Sequence, residues 1–120
     1  MNKSDAEHAL ETYWEHYQHP DSVKEFTSHV VKGIWDNISE IDKRIVKTSK
    51  NWSINRINPI DRSILREAIF EIVFCPDIPY KVTLNEAIEL GKKFGTEKSG
   101  AFINGVLDNV ADQHSEINTD

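Results

Sequence analysis

An all-α bundle is the fold class this sequence predicts, and three observations carry the prediction. Apolar residues recur at helical spacing, with no clean period-two alternation beyond a few residues. Strings that open helices stand just ahead of the apolar stripes. The five Gly and four Pro are scattered rather than gathered into a linker, so one domain of about six helices spanning residues 1–120 is expected.

The first helix is expected over 5–18, opened by Ser4 with Glu7 as a capping box. Ala6, Leu10, Tyr13, Trp14 and Tyr17 mark one face, while Glu7, Glu11 and Glu15 line a solvated one. His19-Pro20 ends it. Ser22 and Glu25 repeat the capping pattern and open a second helix whose face is Val23, Phe26, Val30, Ile34 and Ile38, widened by Val31 and Trp35. A third helix near 40–51 presents Ile41 and Ile45.

Asn58-Pro59 supplies an N-cap and an N1 proline for a fourth helix. It is apolar on two sides: Ile64, Leu65, Ala68, Ile69, Ile72 and Val73 form a wide stripe, and Phe70 and Phe74 pair at i, i+4. That pattern belongs to a central helix, ending before Pro76. Thr83 with Glu86 predicts a fifth helix running to Gly95, with Leu84, Ala87, Ile88 and Gly91 inward and Glu89 paired to Lys93 outward. The sixth, near 97–112, repeats Phe102/Ile103, Val106/Leu107 and Val110/Ala111.

Composition narrows the function classes. With 120 residues, 38% hydrophobic and 28% charged, the chain is long and apolar enough to bury a core. The single Cys75 excludes an internal disulfide framework and any Cys-based structural zinc site, and fits a reducing compartment. No apolar run approaches the ~20 residues that span a bilayer, and the first residues lack a secretory signal, so a cytoplasmic protein with no membrane partner is expected. Fourteen basic against twenty acidic residues give a charge of −6, which by itself argues against nucleic acid.

Catalytic and metal chemistry find little support. His16 and His19 with Glu15 lack a second cluster to complete a metal site and read as surface histidines. Cys75, between Phe74 and Pro76, reads as an inert thiol rather than a nucleophile. Glu67/Glu71 and Glu86/Glu89 are ordinary helix-surface carboxylates, and there is no Gly-rich phosphate loop. No enzyme activity, cofactor or metal is expected.

Basic residues gather in two places. Arg56, Arg62 and Arg66 cluster about the start of the fourth helix. Lys92, Lys93 and Lys98 surround the turn Phe94-Gly95-Thr96, with Ser99 and Phe102 on the first turn of the last helix. Such a local positive patch with an aromatic platform suits single-stranded RNA, and free amides at a helix start favour phosphate. Composition alone leaves open the plainer alternative of solvated lysines and a core phenylalanine.

The second half also reads as ordered blocks: Trp52-Ser53-Ile54-Asn55-Arg56-Ile57, Asp61-Arg62-Ser63-Ile64-Leu65-Arg66, Ile78-Pro79-Tyr80-Lys81-Val82, Asn85-Glu86-Ala87-Ile88-Glu89-Leu90, Phe94-Gly95-Thr96-Glu97-Lys98-Ser99 and Phe102-Ile103-Asn104-Gly105-Val106-Leu107-Asp108. From Trp52 to Ala111 the chain resembles the bacterial transcription antitermination factor family NusB, with a weaker likeness through 22–50 carried by Phe26, Gly33 and Ile41-Asp42. The resemblance implies two small helical bundles, no catalysis, and a heterodimer with the ribosomal protein NusE. Together they would hold single-stranded boxA RNA of ribosomal RNA leaders, join the RNA polymerase elongation complex and suppress termination.

Carried over by position, Arg66, Phe70, Glu71 and Phe74 would face the partner, and Lys98, Ser99 and Phe102, with Lys92 and Lys93 beside them, the RNA. The family's arginine-rich first helix has no counterpart here, because Lys3 is the only Lys or Arg among the first twenty residues. Helix 5–18 matches the family's second helix by position. This predicts an apolar groove closed by self-association or by rearrangement of helix 5–18, and it leaves a protein-binding module that has lost RNA as the rival function. A third alternative, the NusB-like domain ahead of some ribosomal RNA methyltransferases, would need a catalytic domain this length does not hold.

Overall fold

A computed structural model describes residues 2–49 and 53–118 of the chain. Six α-helices and one short 3₁₀ turn account for the elements, and no strand occurs among the described residues. The all-α expectation holds. In chain order they are α1 (Lys3–His16), α2 (Asp21–Asp36), α3 (Ile38–Thr48), the 3₁₀ turn Ile54–Arg56, α4 (Pro59–Phe74), α5 (Tyr80–Phe94) and α6 (Ser99–Asn118). The chain divides into two compact units, one running to Ile38 and the other from Ser39 onward.

In the first unit α1 lies against α2. Its opening differs from the Ser4–Glu7 box expected. Asn2 caps instead: its side chain accepts from the Asp5 amide at 2.9 Å, and Asp5 accepts from the Asn2 amide at 3.0 Å. That reciprocal box satisfies two orphan donors and places the acid of the first turn at the positive end of the helix. The Ser22–Glu25 box does not form either, because α2 starts at Asp21 behind Pro20 and has no side-chain cap. Pro20 fixes the backbone there at φ −56°. No side chain of α1 or α2 is fully buried, and Tyr13, Tyr17, Val23 and Phe26 are exposed. Lys3 pairs with Asp36, tying the start of α1 to the end of α2.

The core lies in the second unit. Ile41 and Ile45 of α3 are fully buried, as their spacing predicts. α3 ends at Thr48 with Ser49 in a turn, short of the expected 51, and residues 50–52, Trp52 among them, lie outside the described ones. Asn58 accepts from the Ile60 amide at 2.8 Å and Pro59 begins α4, as expected. Leu65 and Ile69 are completely buried and Ile64, Ala68 and Phe70 nearly so, because α4 contacts both α5 and α6. The helix ends at Phe74, with Cys75 as its cap before Pro76.

The start of α5 departs most from expectation. Thr83 does not cap it. The helix begins a turn earlier, at Tyr80 behind Pro79, and Thr83 is an interior residue only 2% exposed. Its Cβ falls on the face toward the core, and Pro79, with φ −59°, already has the geometry of a helix entrance. The Glu89–Lys93 pair is replaced by Glu89–Lys92 at 3.8 Å, between two well-exposed side chains and so of little energetic weight.

Close approach of α5 to α6 depends on Gly91, where a Cβ would stand 2.6 Å from the Ile103 Cδ1. Ile103, Leu107 and Val110 are completely buried and Val106 nearly so, which makes the inner stripe of α6 one wall of the core. The Tyr80 hydroxyl donates to the Asp108 carboxylate, linking the outer sides of α5 and α6. No helix among the described residues is long and apolar enough to cross a membrane.

Candidate nucleic-acid and partner interface

The turn between α5 and α6 is held by its own polar groups. Ser99 is completely buried, and its Oγ accepts from the Thr96 amide at 2.8 Å. The Lys98 amide donates to Thr96 Oγ1 at 3.2 Å. Gly95 is required at this point, because a Cβ would lie 2.7 Å from the Gly91 carbonyl oxygen and against the Ser99 hydroxyl. The Ser99 and Phe102 amides, expected to be free for phosphate, donate to Thr96 O and Lys98 O, both at 3.1 Å. Ser99 therefore shapes the turn through a side chain turned inward.

Around this braced turn the lysines stay outside. Lys92, Lys93 and Lys98 are exposed, with the Lys93 ammonium 5.2 Å from the centre of the exposed Phe94 ring. Phe102, one turn into α6, is half-buried rather than core. Its ring lines a groove of about 330 Å³ together with Thr48 and Ser49 at the end of α3 and Gly105, Val106 and Asn109 of α6. Nothing stands within 4 Å of where a Gly105 Cβ would be, so the groove floor is open there.

A second hollow of about 230 Å³ lies between α3 and α6, lined by Lys43, Arg44 and Lys47 with Glu40 and Gln113. Arg44 bonds Glu40 at 3.2 Å. This basic face, like Thr48, Ser49 and Asn109, is not among the residues that the sequence singles out. The i, i+4 spacing of Lys43 and Lys47 was the available signal for the first. For the polar wall of the Phe102 groove there was none, since it forms only when α3 meets α6.

The arginines expected to cluster at the start of α4 are not one group. Arg66 makes a bidentate pair with Asp42 of α3, both contacts 2.9 Å, with the two side chains about four-fifths buried (21% and 23% exposed). Arg62 donates to the Ile54 carbonyl at 3.3 Å, leaving Arg56 as the exposed member of the three. Phe70, carried over as partner-facing, is 4% exposed and belongs to the core. Its contribution outward is indirect, since it stacks at 5.7 Å under Phe74, which is exposed. Glu71 is half-buried and lines a notch between α4 and α5. Arg66 and Phe70 are thus structural supports, and Phe74 and Glu71 are the accessible members of the set.

The histidines make local contacts at the end of α1, and the thiol sits beside acids. His16 Nδ1 lies 2.9 Å from the Thr12 carbonyl oxygen, and His19 Nε2 lies 3.0 Å from the Tyr13 hydroxyl. Among the described residues no three His, Cys, Asp or Glu side chains converge as metal ligands. Burial, with Glu71 and Asp77 nearby, pushes the Cys75 thiol above its ordinary pKa, the reverse of what a nucleophile needs.

Residues 1–112 match the family model described as NusB family. The transcription antitermination protein NusB of Syntrophus aciditrophicus is 52% identical over 104 residues, which are 87% of this chain and 65% of that protein. The corresponding protein of Myxococcus xanthus is 48% identical over 108 residues, 86% of this chain and 76% of that one. A crystal structure of T. maritima NusB superposes with a TM-score of 0.77 at 44% identity, covering 80% of this chain and 68% of that chain. A chain in the crystal structure of a plectonemic RNA supercoil superposes with a TM-score of 0.74 at 29% identity, covering 88% and 75%. The chain thus spans about two thirds to three quarters of the length of these four relatives. With an all-α architecture and a matching family model over nearly its whole length, the chain belongs to the NusB family.

Proposed function

We propose that this chain is a non-catalytic, RNA-binding transcription antitermination factor. In this reading it pairs with the ribosomal protein NusE, holds single-stranded boxA RNA of ribosomal RNA leaders, and joins the RNA polymerase elongation complex to suppress termination. The observation that carries the reading is the half-buried Phe102 ring in its groove, one helical turn from the exposed Lys98 and beside Lys92 and Lys93. An unpaired base stacked on such a ring gains about 1–3 kcal/mol, and each lysine at a phosphate releases a counterion. Ser99 and Gly95 serve by fixing the turn that presents these groups. Family membership supports the cellular role, since the relatives' own name is transcription antitermination protein.

The net charge of −6 sets a condition on this function. The field of the whole chain opposes RNA, so a local basic site gains from a partner that extends it. Titrating fluorescently labelled boxA RNA with the chain alone, then with NusE present, tests this. Weak, salt-sensitive binding that tightens with NusE is expected, and no RNA binding in either arm contradicts it.

A second reading, a protein-binding module without RNA affinity, is favoured by one observation. Lys3, the only Lys or Arg in the first twenty residues, is engaged with Asp36. Under that reading NusE binds and RNA adds nothing.

A further inference from the structure

Both acids of α3 are taken by arginines, Glu40 by Arg44 at 3.2 Å and Asp42 by the bidentate Arg66. Lys43 and Lys47, one turn apart on the same helix, are exposed and bond no described side chain. A chain of net charge −6 has carboxylates to spare, yet these two lysines stand without one. They line the hollow of about 230 Å³ between α3 and α6, where Gln113 adds an amide. Arg44 balances Glu40 there, so the hollow is left with a positive excess and with donors from both helices. An ammonium meets a phosphate as a point charge.

The hollow continues the Phe102 groove. On α3, Lys47 lines the hollow and the next residues, Thr48 and Ser49, line the groove. On α6, Gln113 lines the hollow, and Asn109, one turn back on the same face, lines the groove. The two helices thus border one cleft, with Lys98 just beyond its Phe102 end. From Ser99 to Gln113 α6 rises about 21 Å, room for a strand of several nucleotides rather than a single base. A positive track beside an aromatic platform is the arrangement that holds single strands. Exposed lysines hold a free phosphate weakly because salt screens them. A phosphate tethered to a base already stacked at Phe102 arrives at high effective concentration.

We propose that the hollow lined by Lys43 and Lys47 binds a backbone phosphate of single-stranded RNA that continues out of the Phe102 groove along the α3–α6 cleft. The identity of the ligand rests on the RNA reading above; the position of the site rests on the hollow itself.

The test compares the wild-type chain with Lys43→Gln/Lys47→Gln and with Phe102→Asp, circular dichroism showing each to be folded. The probe is labelled boxA RNA with NusE present, followed by fluorescence anisotropy across a salt series. Two lost phosphate contacts, each releasing about 0.7 counterion, predict binding about twentyfold weaker near 0.1 M salt and a log–log salt slope shallower by about 1.4. An unchanged slope in the lysine variant overturns the site. RNA trimmed from each end in turn locates it. Removing one end is expected to make wild type and lysine variant bind alike, while Phe102→Asp still weakens binding. A lysine penalty that survives trimming at either end is a general effect of charge and overturns the placement. NusE binding without RNA is expected to be unchanged in the lysine variant; a loss there assigns the hollow to an acidic segment of NusE and overturns the RNA assignment. Weakening by Phe102→Asp alone leaves the RNA reading standing and overturns the hollow. Weakening by the lysine variant alone supports the hollow and counts against stacking at Phe102. Wild-type chain that binds no RNA with NusE present overturns both.

Discussion

The two units are built from similar material and hold it differently. Residues up to Ile38 include two Trp-bearing helices, yet no side chain of α1 or α2 is fully buried and Tyr13, Tyr17, Val23 and Phe26 are exposed. From Ser39 onward, α4, α5 and α6 contact one another mutually, and every core hydrophobic side chain among the described residues lies there. Two helices can shield only one side of each other, whereas a third turns a stripe into an interior. Stability therefore resides in the second unit, which also carries the Phe102 groove and the basic hollow. A site that must hold a ring and several charged groups in register is best mounted on the rigid part.

The sharpest way to break this contrast is to truncate one large side chain in each unit. Leu107→Ala, at a completely buried position, is expected to cost about 2–5 kcal/mol in urea denaturation. Phe26→Ala, whose ring is 62% exposed, is expected to change stability by no more than about 0.5 kcal/mol. Equal losses would show that the first unit has as real a core as the second. Smaller is the effect of Gly91→Ala, which forces the new methyl against Ile103 and is expected to cost about 1–3 kcal/mol by the same measurement.

The smallest effect has the opposite sign. Glu67 and Glu71 stand at i, i+4, and burial raises both carboxyls above their ordinary pKa, so their charged forms are disfavoured in the folded state. A folded-state pKa above the unfolded one gives stability that is fully present in acid, below the unfolded value. It is lost as pH rises through the raised value. At neutral pH the pair is thus a liability. Glu67→Gln is expected to stabilise by about 0.2–0.5 kcal/mol near neutrality. The gain should vanish at pH values below the ordinary glutamate range, as urea melts at the two pH values would show.

Legibility in the sequence followed the same division between local and distant causes. The stripes of α4 and α6 were plain because the helical period alone selects the residues that become buried. Helix starts were harder, since Ser4–Glu7, Ser22–Glu25 and Thr83–Glu86 look alike as strings. Asn2 caps α1 earlier, Pro20 and Pro79 set the entrances of α2 and α5, and burial draws Thr83 inside its helix. At the site, the lysine-bearing turn was visible because it is contiguous. Phe102 could be read as core or platform, and only the meeting of α3 with α6 settles that it borders open space. Phe70 and Arg66 showed the converse: residues that match a partner-facing pattern are here occupied by the core and by Asp42.

The central claim is that RNA is held at Phe102 on the second unit, and Phe102→Asp tests it most directly. Fluorescence anisotropy of labelled boxA RNA with NusE present compares the variant with the wild type, circular dichroism confirming that both are folded. Loss of a stacked base, worth about 1–3 kcal/mol, predicts binding weakened at least about fivefold. Unchanged affinity in a folded variant would contradict the account and move the RNA site elsewhere.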